Sequence, residues 1–299
     1  MDVLSDQLAR AQARGAVFST LRRTAPWGLR FRGNRPLTAH VLLEGSGWLD
    51  AEGEEPVALA AGDVVLATEG DPYRLVSDPG VAGEPIADAR RRGDDPGGSP
   101  GARILCGAHM VEGSVGEALL GSLPRFVLIG AASQSARHRD AISLLAREAA
   151  SDGLGQQVLL DRLLDLNLVY ALRAWWQQDE RRAPGWYRGL DHPGLARLIQ
   201  AVHERPQHAW TLESMAQTAA MSRSGFAATF KDVVGQSPAR YLTELRMGHA
   251  EDALLRTDAT VSAVATSVGY GNEFAFSTAF RRSHGLPPGR WRTARRGTV

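Results

Sequence analysis

The sequence predicts a multi-domain chain with an N-terminal all-β barrel over residues 1–134, a helical segment over 135–190, and a C-terminal all-α domain over 191–299 carrying two helix-turn-helix motifs. Three observations predict it. Short apolar runs punctuated by Gly, Pro, Asp and Asn fill the first part of the chain. Near Ser135 the apolar spacing changes to three and four residues. In the last third, one stretch returns in altered form about 50 residues later.

In the first region the runs AVFSTL, WGLRF, AHVLLEG, GWLD, VALAAGDVVLA and YRLVS read as strands, and close spacing of short strands suggests a sandwich or barrel. The interval Pro79–Gly101 is rich in Gly, Pro and charge and reads as a long mobile loop. Strands resume at RILCGAHMVEG and PRFVLIG.

Ala141, Leu144, Leu145 and Glu148 begin a helix, and a second is expected from Leu154 to Gln178. Its apolar stripe (Val158, Leu159, Leu163, Leu166, Val169, Leu172, Trp176) is widened by Leu160, Leu164, Leu168 and Trp175, as in a helix packed on two sides or a dimerisation helix. DERRAPGWYRGLDHPG reads as a linker, since Pro184, Gly185, Pro193 and Gly194 interrupt any helix.

The repeat is explicit. Met215, Ala216 and Met221 match Val264, Ala265 and Tyr270 at an offset of 49. Phe226, Phe230, Lys231, Gly235, Pro238 and Tyr241 match Phe276, Phe280, Arg281, Gly285, Pro288 and Trp291 at an offset of 50, so one residue has been added in the turn. Each copy has a short apolar helix, a small residue (Ala216 or Ala265) that permits a close crossing, a turn, an N-cap (Ser222 or Asn272), and a second helix whose phenylalanines stand four apart. Gly235 or Gly285 ends that helix, and Pro238 or Pro288 follows. An amphipathic helix on Leu195, Leu198, Ile199 and Val202 precedes copy one, and a helix from Pro238 to about Arg256 joins the copies.

Composition is that of a globular chain: 43% hydrophobic and 22% charged among 299 residues. The polar start and the interrupted apolar stretches predict neither a leader nor a membrane span, and hence a cytoplasmic location. A single cysteine, Cys106, excludes an internal disulfide framework. Residues 1–190 carry 21 Arg against 24 Asp and Glu, a net of −3, whereas residues 191–299 carry 13 Lys and Arg against 9 acids, a net of +4. A basic C-terminal part suits a polyanionic partner.

From about Gly194 to Arg292 the chain resembles the DNA-binding domain of the AraC/XylS family of bacterial regulators, on WTLESMAQTAAMSRSGFAATFKDVVGQSPARYL and VSAVATSVGYGNEFAFSTAFRRSHGLPPGRWR. The N-terminal region resembles the cupin-type sensor domain of one branch of that family, through AHVLLEGSGWL, VALAAGDVVLATEGDPYRL and ARILCG. The resemblance implies a cupin-like barrel and a transcriptional regulator, not an enzyme, acting on double-stranded promoter DNA as a homodimer. It further implies RNA polymerase as a partner if the output is activation, and a small-molecule effector acting through the barrel.

Two joined recognition helices would enter successive major grooves about 10–10.5 base pairs apart. Copy one would present Ser222, Arg223, Ser224, Ala227, Ala228 and Lys231 to DNA, and copy two Asn272, Glu273, Ser277, Thr278, Arg281 and Arg282. The resemblance places base contacts at Ser224, Ala227, Ala228, Glu273 and Thr278. The alanines offer only apolar contact, Glu273 is read as a cytosine acceptor or a helix-end charge, and Lys231, Arg281 and Arg282 as phosphate contacts. In the barrel, Arg30, His40, Trp48 and Tyr73 are candidate ligand-lining residues. No metal or other cofactor is expected, because His40 stands without a paired histidine, Tyr73 sits where another would be expected, and only Cys106 and His109 could be recruited. Two other functions compete with this reading: a cupin-type small-molecule enzyme with a regulatory helical domain, and an alkyl-transfer DNA-repair protein, which would need a cysteine cluster where the sequence has Cys106 alone.

Overall fold

The computed structural model describes residues 13–68, 70–96, 101–111, 120–121, 123–151, 153–179 and 182–296, the side chains of residues 13–16 and 109–111 excepted. They form two compact units that divide after Arg182.

In the first unit the predicted runs become ten strands: β1 (Ala13–Thr24), β2 (Gly28–Phe31), β3 (Leu37–Glu44), β4 (Ser46–Ala51), β5 (Val57–Ala60), β6 (Val64–Thr68), β7 (Tyr73–Val76), β8 (Glu84–Pro85), β9 (Gly101–Val111) and β10 (Phe126–Ile129). They form two five-stranded sheets ordered β1-β9-β3-β6-β10 and β5-β4-β7-β2-β8. All pairs are antiparallel except β2 with β8. Alternate side chains from both sheets, among them Leu29, Phe31, Leu49, Leu75, Val65, Ala67, Ile104 and Cys106, meet in one core.

Strand β6 breaks the alternation. Val64, Val65, Leu66 and Ala67 are all buried, because the outer face of its sheet is covered as well. The cover is a helical pair, α2 (Ala136–Ala149) and α3 (Gln156–Gln178), which pack on each other and, α3 especially, on β1 and β10. Ser135 caps α2 by accepting from the His138 amide.

The segment expected as a mobile loop at 79–101 is ordered over its described part. It contains β8 and a short helix, α1 (Ile86–Arg92). The cause is Arg23, which is 1% exposed on β1. Its guanidinium donates to the carbonyls of Gly93 at 2.8 Å and Ala89 at 3.0 Å, and lies 3.7 Å from Asp95 and 3.9 Å from Glu84. A buried guanidinium needs such partners, and here they are the backbone and acids of the loop itself.

The second unit is all-helical: α4 (Gly185–Asp191), α5 (Pro193–Glu204), α6 (Leu212–Thr218), α7 (Arg223–Val234), α8 (Pro238–Arg256), α9 (Val261–Ser267), α10 (Glu273–His284) and α11 (Pro288–Arg296). The expected linker at 179–194 therefore includes a helix, α4. Pro184 starts it rather than stopping it, and Trp186 and Leu190 pack on the first helical core. That core gathers α5, α6, α7 and the start of α8 around Phe226 and Phe230; a second gathers the end of α8, α9, α10 and α11 around Phe276 and Phe280. Helix α8 belongs to both, giving Tyr241, Leu242 and Leu245 to one and Met247, Ala250 and Leu254 to the other. At the junction Arg246 donates to the carbonyls of Pro206 and His208, each at 2.8 Å, and lies 5.8 Å over the Tyr270 ring.

The two turns differ at one equivalent position. Ala220 in copy one has φ 55, and Gly269, 49 residues on, has φ 83. A Cβ on Gly269 would come 2.6 Å from the Gln207 carbonyl oxygen and 2.8 Å from the Arg246 guanidinium. Gly269→Ala should therefore lower the stability of the helical unit by about 1–3 kcal/mol in chemical denaturation. Ala220→Gly, which relieves a left-handed alanine while loosening the unfolded chain, should stay within about 1 kcal/mol of the native protein.

Candidate nucleic-acid interface

Helices α7 and α10 have the same construction. Ser222 Oγ accepts from the Gly225 amide at 3.2 Å and Asn272 Oδ1 from the Ala275 amide at 2.8 Å, so both predicted caps are occupied in holding their helices. Inward, Phe226 and Phe230 are 0% and 2% exposed and Phe276 and Phe280 both 0%, so the opposite face of each helix is fixed toward solvent. Truncating any of these rings costs roughly 3–5 kcal/mol, so the orientation is held strongly.

On the solvent face of α7, Arg223, Ser224, Ala228 and Lys231 are exposed and Ala227 is half-buried. On α10, Glu273, Thr278, Arg281 and Arg282 are exposed and Ser277 is half-buried. The sequence-derived residues of each copy thus share one face. Phe274 joins them: it is 83% exposed, the one aromatic among the exposed large apolar side chains of the described residues. It escapes notice in the sequence because phenylalanine there looks like core, although the 50-residue offset from Ser224 places it on the outer face.

Copy two also holds a buried polar pair. His284 Nε2 bonds to the Glu251 carboxylate, its Nδ1 lies 3.0 Å from the Phe280 carbonyl, and its ring stacks on Phe280 at 4.0 Å. Burial pulls the His284 pKa down, but the hydrogen bond and charge of Glu251 outweigh it and the net shift is upward. Fifty residues earlier the corresponding side chain is the apolar Val234.

In the first unit His40 and Tyr73 do meet. Within the sandwich His40 Nε2 lies 2.7 Å from the Tyr73 hydroxyl and Nδ1 3.2 Å from Cys106 Sγ. Burial, with the nearby charge of Arg90, lowers the His40 pKa to about 3, and burial raises that of Cys106 to about 12 and that of Tyr73 well above its usual range. The cluster is neutral, with one imidazole nitrogen donating and the other accepting. Arg30 and Trp48 do not line this interior. Arg30 is exposed between the core residues Leu29 and Phe31, and Trp48 is half-buried on the face opposite Leu49. The side chain of His109 lies outside the described residues. Among the described residues no three of His, Cys, Asp and Glu group as metal ligands.

Between the β6-containing sheet and α2–α3 lies an apolar cleft of about 20 Å³, walled by residues such as Val41, Leu66, Leu105, Leu145 and Leu168. His138 Nδ1 and Nε2 and Asn167 Oδ1 are buried there without hydrogen-bond partners. Burial lowers the His138 pKa to about 4, so the ring is neutral. The space is that of a single water molecule.

A family model described as "Cupin" matches residues 2–177, and one described as "Helix-turn-helix domain" matches residues 215–294. A putative AraC-like transcription regulator of Streptomyces lividans is 32% identical over 298 residues, covering 98% of this chain and 98% of its own. The RCS-specific HTH-type transcriptional activator RclR of Escherichia coli K12 is 31% identical over 298 residues, covering 98% of this chain and 97% of its own. Among solved structures, the DNA-binding domain of AdpA in complex with a target DNA is 29% identical, covering 36% of this chain and 95% of that one, with a TM-score of 0.34.

The His284–Glu251 pair makes copy two sensitive to pH. A histidine pKa raised on folding stabilises fully below the unfolded value of 6.5, and that contribution is lost as pH rises through the folded value. Unfolding of the full chain, followed by hydrogen exchange within α10, should show stability declining as pH is raised from about 6.5, and His284→Asn should flatten the decline. An unchanged slope would remove the pair as its cause.

Proposed function

The chain belongs to the AraC family of transcription regulators, and from that membership we propose that α7 and α10 read successive major grooves on one face of a promoter duplex. The observation that carries this reading is the pair of equivalent helices whose phenylalanines are buried and whose opposite faces are exposed. That the chain is a DNA-binding regulator follows from its two family matches and its full-length relatives.

Within this reading Lys231, Arg281 and Arg282 are phosphate contacts: each is exposed about two and a half to three turns beyond the cap, flanking the base-facing positions. Arg223, Ser224, Ala228, Glu273 and Thr278 face base edges, while Ser222 and Asn272 act through their caps and through the amides they align. Half-buried Ala227 and Ser277 set how closely each helix approaches. The first unit supplies dimerisation and the response to a small-molecule effector, with RNA polymerase as the further partner if the output is activation. Its support for dimerisation is an apolar stripe on α3 left open in the single chain, where Val158, Leu159 and Leu166 are 63%, 50% and 40% exposed. Acting on promoter DNA places the protein in the cytoplasm. Among the described residues no helix is long and apolar enough to cross a membrane. No catalytic role is assigned to His40, Tyr73 or Cys106, whose polar atoms bond to one another.

Replacing Lys231, Arg281 or Arg282 singly by Ala should reduce the slope of log K against log salt by about 0.9 and leave the preferred sequence unchanged. A slope unmoved by all three substitutions would take these residues out of the interface. The double change Leu159→Asp with Leu166→Asp should shift the sedimentation of the full chain from dimer to monomer without unfolding it. A native chain that sediments as a monomer would dismiss the α3 interface.

A further inference from the structure

We propose that Phe274 reads the methyl group of a thymine in the major groove, and that sequence discrimination is concentrated in the half of the operator facing α10. The proposal rests on the reading of α10 as a major-groove helix and adds what that helix recognises.

Phe274 stands two residues from Phe276, a turn of roughly 200° about the helix axis, which carries it to the side opposite the core. Phe276 is 0% exposed and Phe274 is 83% exposed. With Thr278 four residues on, and Arg281 and Arg282 beyond, it forms one exposed stripe. The same stripe on α7 is Ser224, Ala228, Lys231 and Asp232. The two copies therefore offer DNA different surfaces: the first has short side chains with the cations Arg223 and Lys231 and the anion Asp232, and the second has an aromatic ring, a threonine, Glu273 and the two cations Arg281 and Arg282. Anchored by Arg281 and Arg282, α10 would bring the ring, in its first turn, to the base edges.

A phenyl ring neither donates nor accepts a conventional hydrogen bond, so it cannot read guanine, cytosine or adenine by their polar groups. The one apolar feature on the floor of the major groove is the thymine C5-methyl. Covering it removes apolar area of both partners from water, and the ring is already out in solvent before DNA arrives.

The test begins with a duplex that the full-length protein selects from a randomised pool. In the half-site facing α10, each thymine is replaced in turn by deoxyuridine, which removes only the methyl. At one position the replacement should weaken the native protein about fourfold, the value of one buried carbon. Phe274→Ala should bind the thymine and uracil duplexes equally there, while Gln200→Ala, exposed on α5 and outside both DNA-facing helices, keeps the native thymine profile. The proposal is overturned if no replacement weakens the native protein, or if Phe274→Ala still distinguishes thymine from uracil. In either case salt-dependent binding to the selected duplex would leave the DNA-binding reading standing. A native protein that selects no sequence at all would remove both.

Discussion

The DNA-reading part of this protein depends on one helix belonging to two cores. Each core is small, with thirteen buried side chains in the first and nine in the second, a phenylalanine pair included in each. Helix α8, at 19 residues about 28 Å long, gives its first half to one and its second half to the other. Two small bundles on a flexible tether could take any mutual angle, whereas two bundles built on the ends of one rigid rod have their spacing set by residue count. Arg246 reinforces the junction by tying loop carbonyls before copy one to the rod beside the turn of copy two. The extended hydrogen-bonding reach of a guanidinium suits that position better than an ammonium would.

The duplication has not left the copies equal. At the tight turn one copy keeps an alanine in the left-handed region and the other a glycine hemmed in by Gln207 and Arg246. In the core, copy one fills with Val234 the place where copy two sets His284 against a buried carboxylate. On the outer face, copy one carries Ser and Ala where copy two carries Phe and Thr. These differences point one way: the first lobe is plainer in chemistry, and the second carries the distinctive groups.

Much of this was legible in the sequence, and the parts that were not share a physical character. The repeat, both caps and the terminating glycines are local patterns, and the structure places them as read. The order at 84–95 depends on Arg23, whose partners lie 66 and 70 residues away, and no local pattern announces such a contact. Helix α4 was hidden because proline and glycine, which usually break helices, here stand at its start. Arg30 and Trp48 are a different matter. Each alternates with core residues along a strand, so parity alone would have placed them outside the sandwich. His40 and Tyr73 came together because their strands belong to the two facing sheets, a packing that sequence does not supply.

Arg23 also separates the two halves of the molecule in how they answer to their surroundings. Helix α1 packs on β1, β2 and β8, and so spans an edge of each sheet. It is fastened there by a guanidinium sealed from solvent and by Asp95, which is held below its ordinary carboxylate range: burial works to raise it, and the Thr24 amide and the guanidinium of Arg92 prevail. Dissolved ions weaken charges that face water far more than charges enclosed in protein. A rise in ionic strength that strips the helical unit from a polyanion would thus leave this clasp shut. One end of the chain is tuned to the ionic medium, and the other is insulated from it.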